Sequence, residues 1–425
     1  MTRRSAERRR WGFLCRSVLS ALATVVAFRP LSTTNVVAAP LSFVLGLPSS
    51  ELPLHSLAAQ VGGTAVAVGR GRVRGAPGVL GLALRLGAWA GLVVLHRRAL
   101  RSGEVLDAAL AEALGPDYRD HVVDPRPPVD PTVQRRPGVV RMARIWRRYV
   151  HDGDLSYGDA GPRNMLDIWR RPDVGPGAPV LLQIPGGAWV MGNKRGQAHP
   201  LMSHLVERGW ICVSITTRLS PASTWPDHVV DVKKAIAWIR ANIAGYGGDP
   251  GFIAVSGGSS GGHLTALAAL TAGDRQLQPG FEDADTTVQA AVPLYGVYDW
   301  SDRTETGGAT FLGHVQRNIV KAKWDDDPAP FRQASPIERV HADAPPFFVV
   351  HGINDSFGPA IVQPRSFVPR LRAVSRNVVA YAELPDAQHA FDTWSSPRAV
   401  ATAEAIGRFL GVVYGEHRAA APHDA

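Results

Sequence analysis

The sequence predicts an α/β protein: a mostly parallel central sheet with helices on both faces, preceded by an apolar helical region. Three observations predict it. From about residue 141, short β-branched runs alternate with helical patterns, as in strands joined by crossover helices. One strand-to-helix junction carries Gly257-x-Ser259-x-Gly261. A serine, an aspartate and a histidine, Ser259, Asp355 and His389, then follow in chain order, each just beyond an expected strand.

The N-terminal portion is read first. Residues 1–150 hold 22 Lys+Arg against 9 Asp+Glu, and the remaining residues hold 24 against 28, so the net charge of +9 is +13 from the first part and −4 from the rest. A basic excess confined to an apolar region points to anionic lipid, whereas a nucleic-acid enzyme would carry its basic patch on the folded domain. Apolar stretches at 11–28, 52–69 and 76–95 approach the roughly 18–20 residues of a spanning helix. Arg70, Arg72, Arg74, Arg97 and Arg98 flank them as basic residues flank a headgroup layer. Three readings stay open for residues 1–120: a membrane anchor of two or three helices, a cleaved signal followed by an amphipathic surface segment, and a helical cap packed on the catalytic domain. The expected location is the cell membrane, with the side undetermined.

A Pro-rich stretch, centred on Asp124-Pro125-Arg126-Pro127-Pro128, marks a linker over 121–140. The catalytic domain is expected over 141–415, with a short tail at 416–425. Strands are expected at 180–184, 211–215, 252–255, 290–294, 347–350 and 378–382. A helix opens at Pro226, with Val229, Val232, Ile236 and Ile239 on one face. Cys212 reads as a small core hydrophobe, and Cys15 and Cys212 form no framework for a disulfide or a metal. No cofactor and no metal are expected.

In an open parallel sheet, the loops at the carboxyl ends of the strands converge on the ligand crevice. Ser259 follows Phe252-Ile253-Ala254-Val255 directly, and glycines two residues to either side remove the side chains that would collide in a sharp, strained turn. Gly258, Ser260 and Gly262 satisfy the same spacing, so Ser260 is the alternative register. Attack on an ester carbonyl produces an oxyanion, which needs backbone N–H donors. Ser260 supplies one, and Gly186 and Gly187 of the loop Pro185-Gly186-Gly187-Ala188-Trp189 supply the others. His389 is the expected base. Asp355 is the carboxylate that sets its tautomer, and Asp386 competes for that role from too near in sequence. His351 reads as a packing residue and His263 as a helix-start residue. The segment 300–336, with Trp300, Phe311, Trp324 and Phe331, is either a lid or a surface insertion.

Residues 145–412 resemble α/β-hydrolase carboxylesterases of the hormone-sensitive-lipase type and their bacterial relatives. The resemblance is carried by Leu166-Asp167-Ile168-Trp169, Pro185 to Trp189, Arg218-Leu219-Ser220-Pro221, Gly247-Gly248-Asp249-Pro250, the Gly257 to Gly262 elbow, Asp355 and His389. It implies hydrolysis of small-molecule or lipid carboxylic esters through an acyl-enzyme, with the triad on Ser259, Asp355 and His389. Pro185 stands where the family's loop begins with histidine, and Thr217 where the family has tyrosine. An amidase or deacylase with the same triad, and a catalytically silent binding module, are the alternatives.

Overall fold

The computed structural model describes residues 3–31, 38–130, 145–301, 308–357 and 361–420. Eight strands form one sheet: β1 (Val150–Ser156), β2 (Met165–Trp169), β3 (Ala178–Ile184), β4 (Ile211–Ile215), β5 (Gly248–Gly258), β6 (Ala290–Leu294), β7 (Phe347–Gly352) and β8 (Val379–Leu384). Their spatial order is β1-β2-β4-β3-β5-β6-β7-β8. β1 and β2 run antiparallel to their neighbours, and every pairing from β4 through β8 is parallel.

Successive side chains of a strand point to opposite faces, and here both faces are covered. Val180, Leu182, Ile184, Ile253 and Val255 join the core on one side. Leu181, Cys212, Phe252, Ala254 and Val350 join the core on the other. This double burial explains why β3 to β8 read as continuous apolar runs. Cys212 is fully buried and unpaired, the core role expected of it.

β1 and β2 were not among the expected strands. β1, Val-His-Asp-Gly-Asp-Leu-Ser, is a half-exposed edge strand. β2 carries a buried aspartate, Asp167, which is neutralised by Lys194 at 2.7 Å and Arg195 at 2.8 Å. That polar residue interrupts the apolar run on which strand recognition relies.

The N-terminal region is helical: α1 (Arg3–Phe28), α2 (Ala38–Glu51), α3 (Pro53–Gly69), α4 (Gly75–Leu100) and α5 (Ser102–Leu114). Two described stretches, Glu7–Phe28 and Gly75–Leu114, are long and apolar enough to cross a membrane. The second includes α5, however, whose Leu106 and Leu110 are fully buried in the sheet's outer core, so its apolar character there serves packing. The helices also lie against the α/β domain. Glu51 of α2 forms a buried ion pair with Arg398, and Arg98 of α4 meets Asp386 at 3.2 Å.

Two boundaries differ from expectation. The described part of the 121–140 stretch is pinned to the domain: Val123 N–H donates to Gly411 O (3.2 Å), Arg126 N–H to Arg208 O (3.0 Å), and Arg171 to Pro127 O (2.9 Å). Residues 131–144 lie outside the described residues. The last helix runs Pro397–Ala420, past the boundary expected at 415, because Val412, Val413 and Tyr414 still bury against the sheet; residues 421–425 of the tail lie outside the described residues.

Candidate active site

β5 ends at Gly258, and the helix Ser260–Leu270, here α6, begins immediately after Ser259. Ser259 itself takes φ 59° and ψ −124°, a conformation that costs a non-glycine residue roughly 1–3 kcal/mol. It persists because the flanking glycines are crowded by backbone. A Cβ on Gly257 would meet Gly261 O at 2.6 Å and Ile184 O at 2.7 Å, and one on Gly258 would overlap the Tyr295 ring. Ser259 is half-buried, whereas Ser260 is only 2% exposed at the helix start. The strain and the access therefore both fall on Ser259 rather than on the alternative register.

Asp355 and His389 meet on the loops after β7 and β8. His389 Nδ1 lies 2.7 Å from Asp355 Oδ2. The second carboxylate oxygen, Oδ1, accepts from the Phe357 N–H at 2.9 Å. The His389 backbone N–H donates to its neighbour Gln388 Oε1 at 2.9 Å, and Ser356 N–H donates to the same oxygen at 2.7 Å, so one carboxamide joins the loop of Asp355 to the loop of His389. Asp386 is not at the imidazole; it is paired with Arg98. His351 is fully buried, with Nε2 3.4 Å from Asp355 Oδ2, and burial lowers its pKa to about 4, so it stays neutral beside the carboxylate.

Tyr295 links this pair to the elbow. Its ring stands edge-on to the imidazole with centroids 4.8 Å apart, while its hydroxyl donates to the half-buried Asp392 carboxylate. The same ring fills the space above Gly258. The imidazole is thus one aromatic ring away from the backbone that carries Ser259. Among the described residues no hydrogen bond joins the Ser259 hydroxyl to His389.

The Pro185–Trp189 loop presses on the elbow from the other side, and a Cβ on Gly186 would come within 3.2 Å of Ser259 Cβ. Here one expectation is corrected. The Gly186 N–H donates to Gln197 Oε1 at 2.7 Å, and Gln197 Nε2 returns a bond to Gly186 O at 3.1 Å, so this amide is already satisfied. The N–H groups of Gly187, Ala188 and Ser260 have no acceptor among the described residues. Of the two loop glycines expected as donors, only Gly187 has a free N–H, and the Ala188 N–H beside it is free as well. Gln197, eleven residues downstream of Gly186, clamps its peptide on both sides, and nothing in the local sequence marked it. Two further contacts hold the loop: Ser220 N–H donates to Trp189 O at 2.9 Å, and His314 Nε2 lies 3.1 Å from Ala188 O.

His314 belongs to the segment expected as lid or insertion. Trp300 and Phe331 of that segment are fully buried, and Trp300 stacks on His263 with centroids 4.8 Å apart. Residues 302–307 lie outside the described residues. His263, beyond its place at the helix start, is buried, and its Nε2–H donates to Ala334 O at 2.7 Å. A separate cleft of about 470 Å³, lined by Leu52, His55, His96, Ser395 and Glu404 among others, contains none of the triad candidates.

Comparison with known proteins gives a consistent picture. Residues 166–365 match the family described as BD-FAE. The "Probable carboxylic ester hydrolase LipM" of Mycobacterium tuberculosis is 50% identical over 97% of this chain and 95% of its own length. "Esterase LipQ" of the same organism is 51% identical over 76% of this chain and 77% of its own. Among solved structures, a truncated carbohydrate esterase from gut microbiota superposes with a TM-score of 0.53 at 23% identity, covering 62% of this chain and 97% of that one, a likeness of fold.

Proposed function

The chain belongs to the carboxylesterases of the hormone-sensitive-lipase type, an ester hydrolase with the α/β-hydrolase fold, and from that premise we propose that it works through a serine triad and an acyl-enzyme. Ser259 attacks the ester carbonyl. His389 takes the serine proton on Nε2, because the Asp355 carboxylate holds the other ring nitrogen as the N–H tautomer. The developing oxyanion is received by the N–H groups of Gly187, Ala188 and Ser260, the last at the positive end of α6. His389 then protonates the leaving alcohol, and water reverses the sequence to free the acid.

The single observation that carries this reading is the strained Ser259 at the strand-to-helix turn, with the buried Asp355–His389 pair one ring away across Tyr295. The test is covalent labelling with a fluorophosphonate. The expected result is one adduct on Ser259 and a loss in Ser259→Ala of about 10⁶ in kcat, the scale for losing such a nucleophile. An active Ser259→Ala, or an adduct on Ser260, refutes the assignment.

The same proposal extends to location. Of the 23 exposed large hydrophobic side chains among the described residues, 17 precede residue 101. Exposed apolar side chains in that number fit insertion among lipid tails, with Arg70, Arg72, Arg74 and Arg97 at the headgroups. Fractionation of cells expressing the full-length chain tests it, and recovery in the soluble fraction rejects it.

A further inference from the structure

The N-terminal helices reach the catalytic loops themselves. The carboxamide of Asn354, next to Asp355, donates to Ala27 O at 2.9 Å and Phe28 O at 3.0 Å, at the C-terminal end of α1. Carbonyls of a last helical turn have no donor within the helix. A residue 326 positions downstream therefore caps α1 from the acid loop. A second contact comes from α2. The Phe43 ring lies 5.3 Å from Phe357 and 6.3 Å, edge-on, from the His389 imidazole. Ser356 Oγ reaches Ala39 O at 3.4 Å, and Ser356 shares Gln388 Oε1 with His389. Both helices thus bear on residues adjacent to the acid and the base.

We infer that α1 and α2 complete the catalytic centre, with Asn354 and Phe43 as positioning residues that hold the Asp355–His389 pair aligned with Ser259. Other contacts also hold the helices on the domain. The buried Glu51–Arg398 ion pair, the Ser396 hydroxyl on Glu51 at 2.9 Å and the Arg98–Asp386 pair lie elsewhere along the seam. Asn354 adds order to one loop, the loop that carries Asp355. Chemistry at Ser259 then depends on the seating of helices that also present the apolar surface, so the enzyme is competent only with its N-terminal region in place.

The inference rests on the triad reading above, and the experiment separates the two. The full-length chain is prepared in detergent micelles as wild type, Asn354→Ala and Phe43→Ala. The readouts are kcat and KM on p-nitrophenyl butyrate, the rate and site of fluorophosphonate labelling, and the thermal midpoint. Asn354→Ala is expected to lower kcat and the labelling rate about tenfold, the scale of one to two lost hydrogen bonds, with KM within about twofold, since the substrate's own contacts remain. Phe43→Ala keeps both Asn354 bonds and is expected to lower kcat severalfold, so it carries the test if Asn354→Ala fails to fold. Wild-type labelling on Ser259 with both variants at full kcat overturns this inference alone. Wild-type labelling elsewhere overturns the triad reading and this inference with it.

Discussion

Replacing Asp355 by asparagine removes one charge and almost no volume, and the surroundings dictate how the new amide must sit. Oδ1 of Asp355 accepts from the Phe357 N–H, and Oδ2 faces His389 Nδ1 at 2.7 Å. Only the amide oxygen of asparagine accepts, so it must take the place facing Phe357, which turns the NH₂ group toward His389. An NH₂ donor there requires Nδ1 to be the unprotonated nitrogen. The proton then resides on Nε2, the atom that must take the serine proton, and the base is lost without loss of structure. Tautomer inversion of this kind costs about 10⁴ in kcat in serine triads. The assay is kcat on a short p-nitrophenyl ester, with circular dichroism as the control for folding. Asp386→Asn is the matched control, because the buried Asp386 pairs with the half-exposed Arg98 rather than with the imidazole; the new carboxamide oxygen can still accept from that guanidinium, so the variant should retain activity within about threefold. A folded Asp355→Asn enzyme that loses less than about tenfold would refute the assignment of the acid.

Two more outcomes follow from the same geometry. Gln197→Ala frees both sides of the Gly186 peptide, and loosening the loop that carries the Gly187 and Ala188 donors should lower kcat by about 10- to 100-fold, less than outright removal of a donor, with KM little changed; an unchanged kcat would show the loop to be held without it. The buried histidines contribute to the loss of stability in acid. Burial lowers His228 and His351 to about 4 and His263 to about 3. The unfolded chain takes up protons on them below its ordinary 6.5 and the folded chain does not, so their stabilisation is complete above pH 6.5 and is lost as pH falls toward 4. For His228 alone that difference is on the order of 3 kcal/mol by pH 4. The urea midpoint should therefore fall steadily from pH 7 to pH 4.5, and a constant midpoint over that range would count against their burial as neutral rings.

The sequence by itself determined the parts whose physics is local. Strands β3 to β8 were legible because residues buried on both faces leave unbroken apolar runs, and the elbow was legible because steric relief around Ser259 must come from residues two positions away. Both signals lie within a few residues of what they specify. Only the tertiary structure decided the rest. Whether Asp355 or Asp386 serves the imidazole turned on Arg98, a residue of α4 that occupies Asp386 from nearly 300 positions away. Whether Gly186 is a free donor turned on Gln197, whose side chain reaches back across a loop. β2 escaped notice because its buried Asp167 is neutralised by cations from another loop. The contact between the first hundred residues and the loop of Asp355, through the carboxamide of Asn354 on the end of α1, is likewise visible only after folding. Hydrogen-bond partners and neutralising charges are chosen by proximity after folding, and proximity between distant segments is a property of packing that no window of sequence contains.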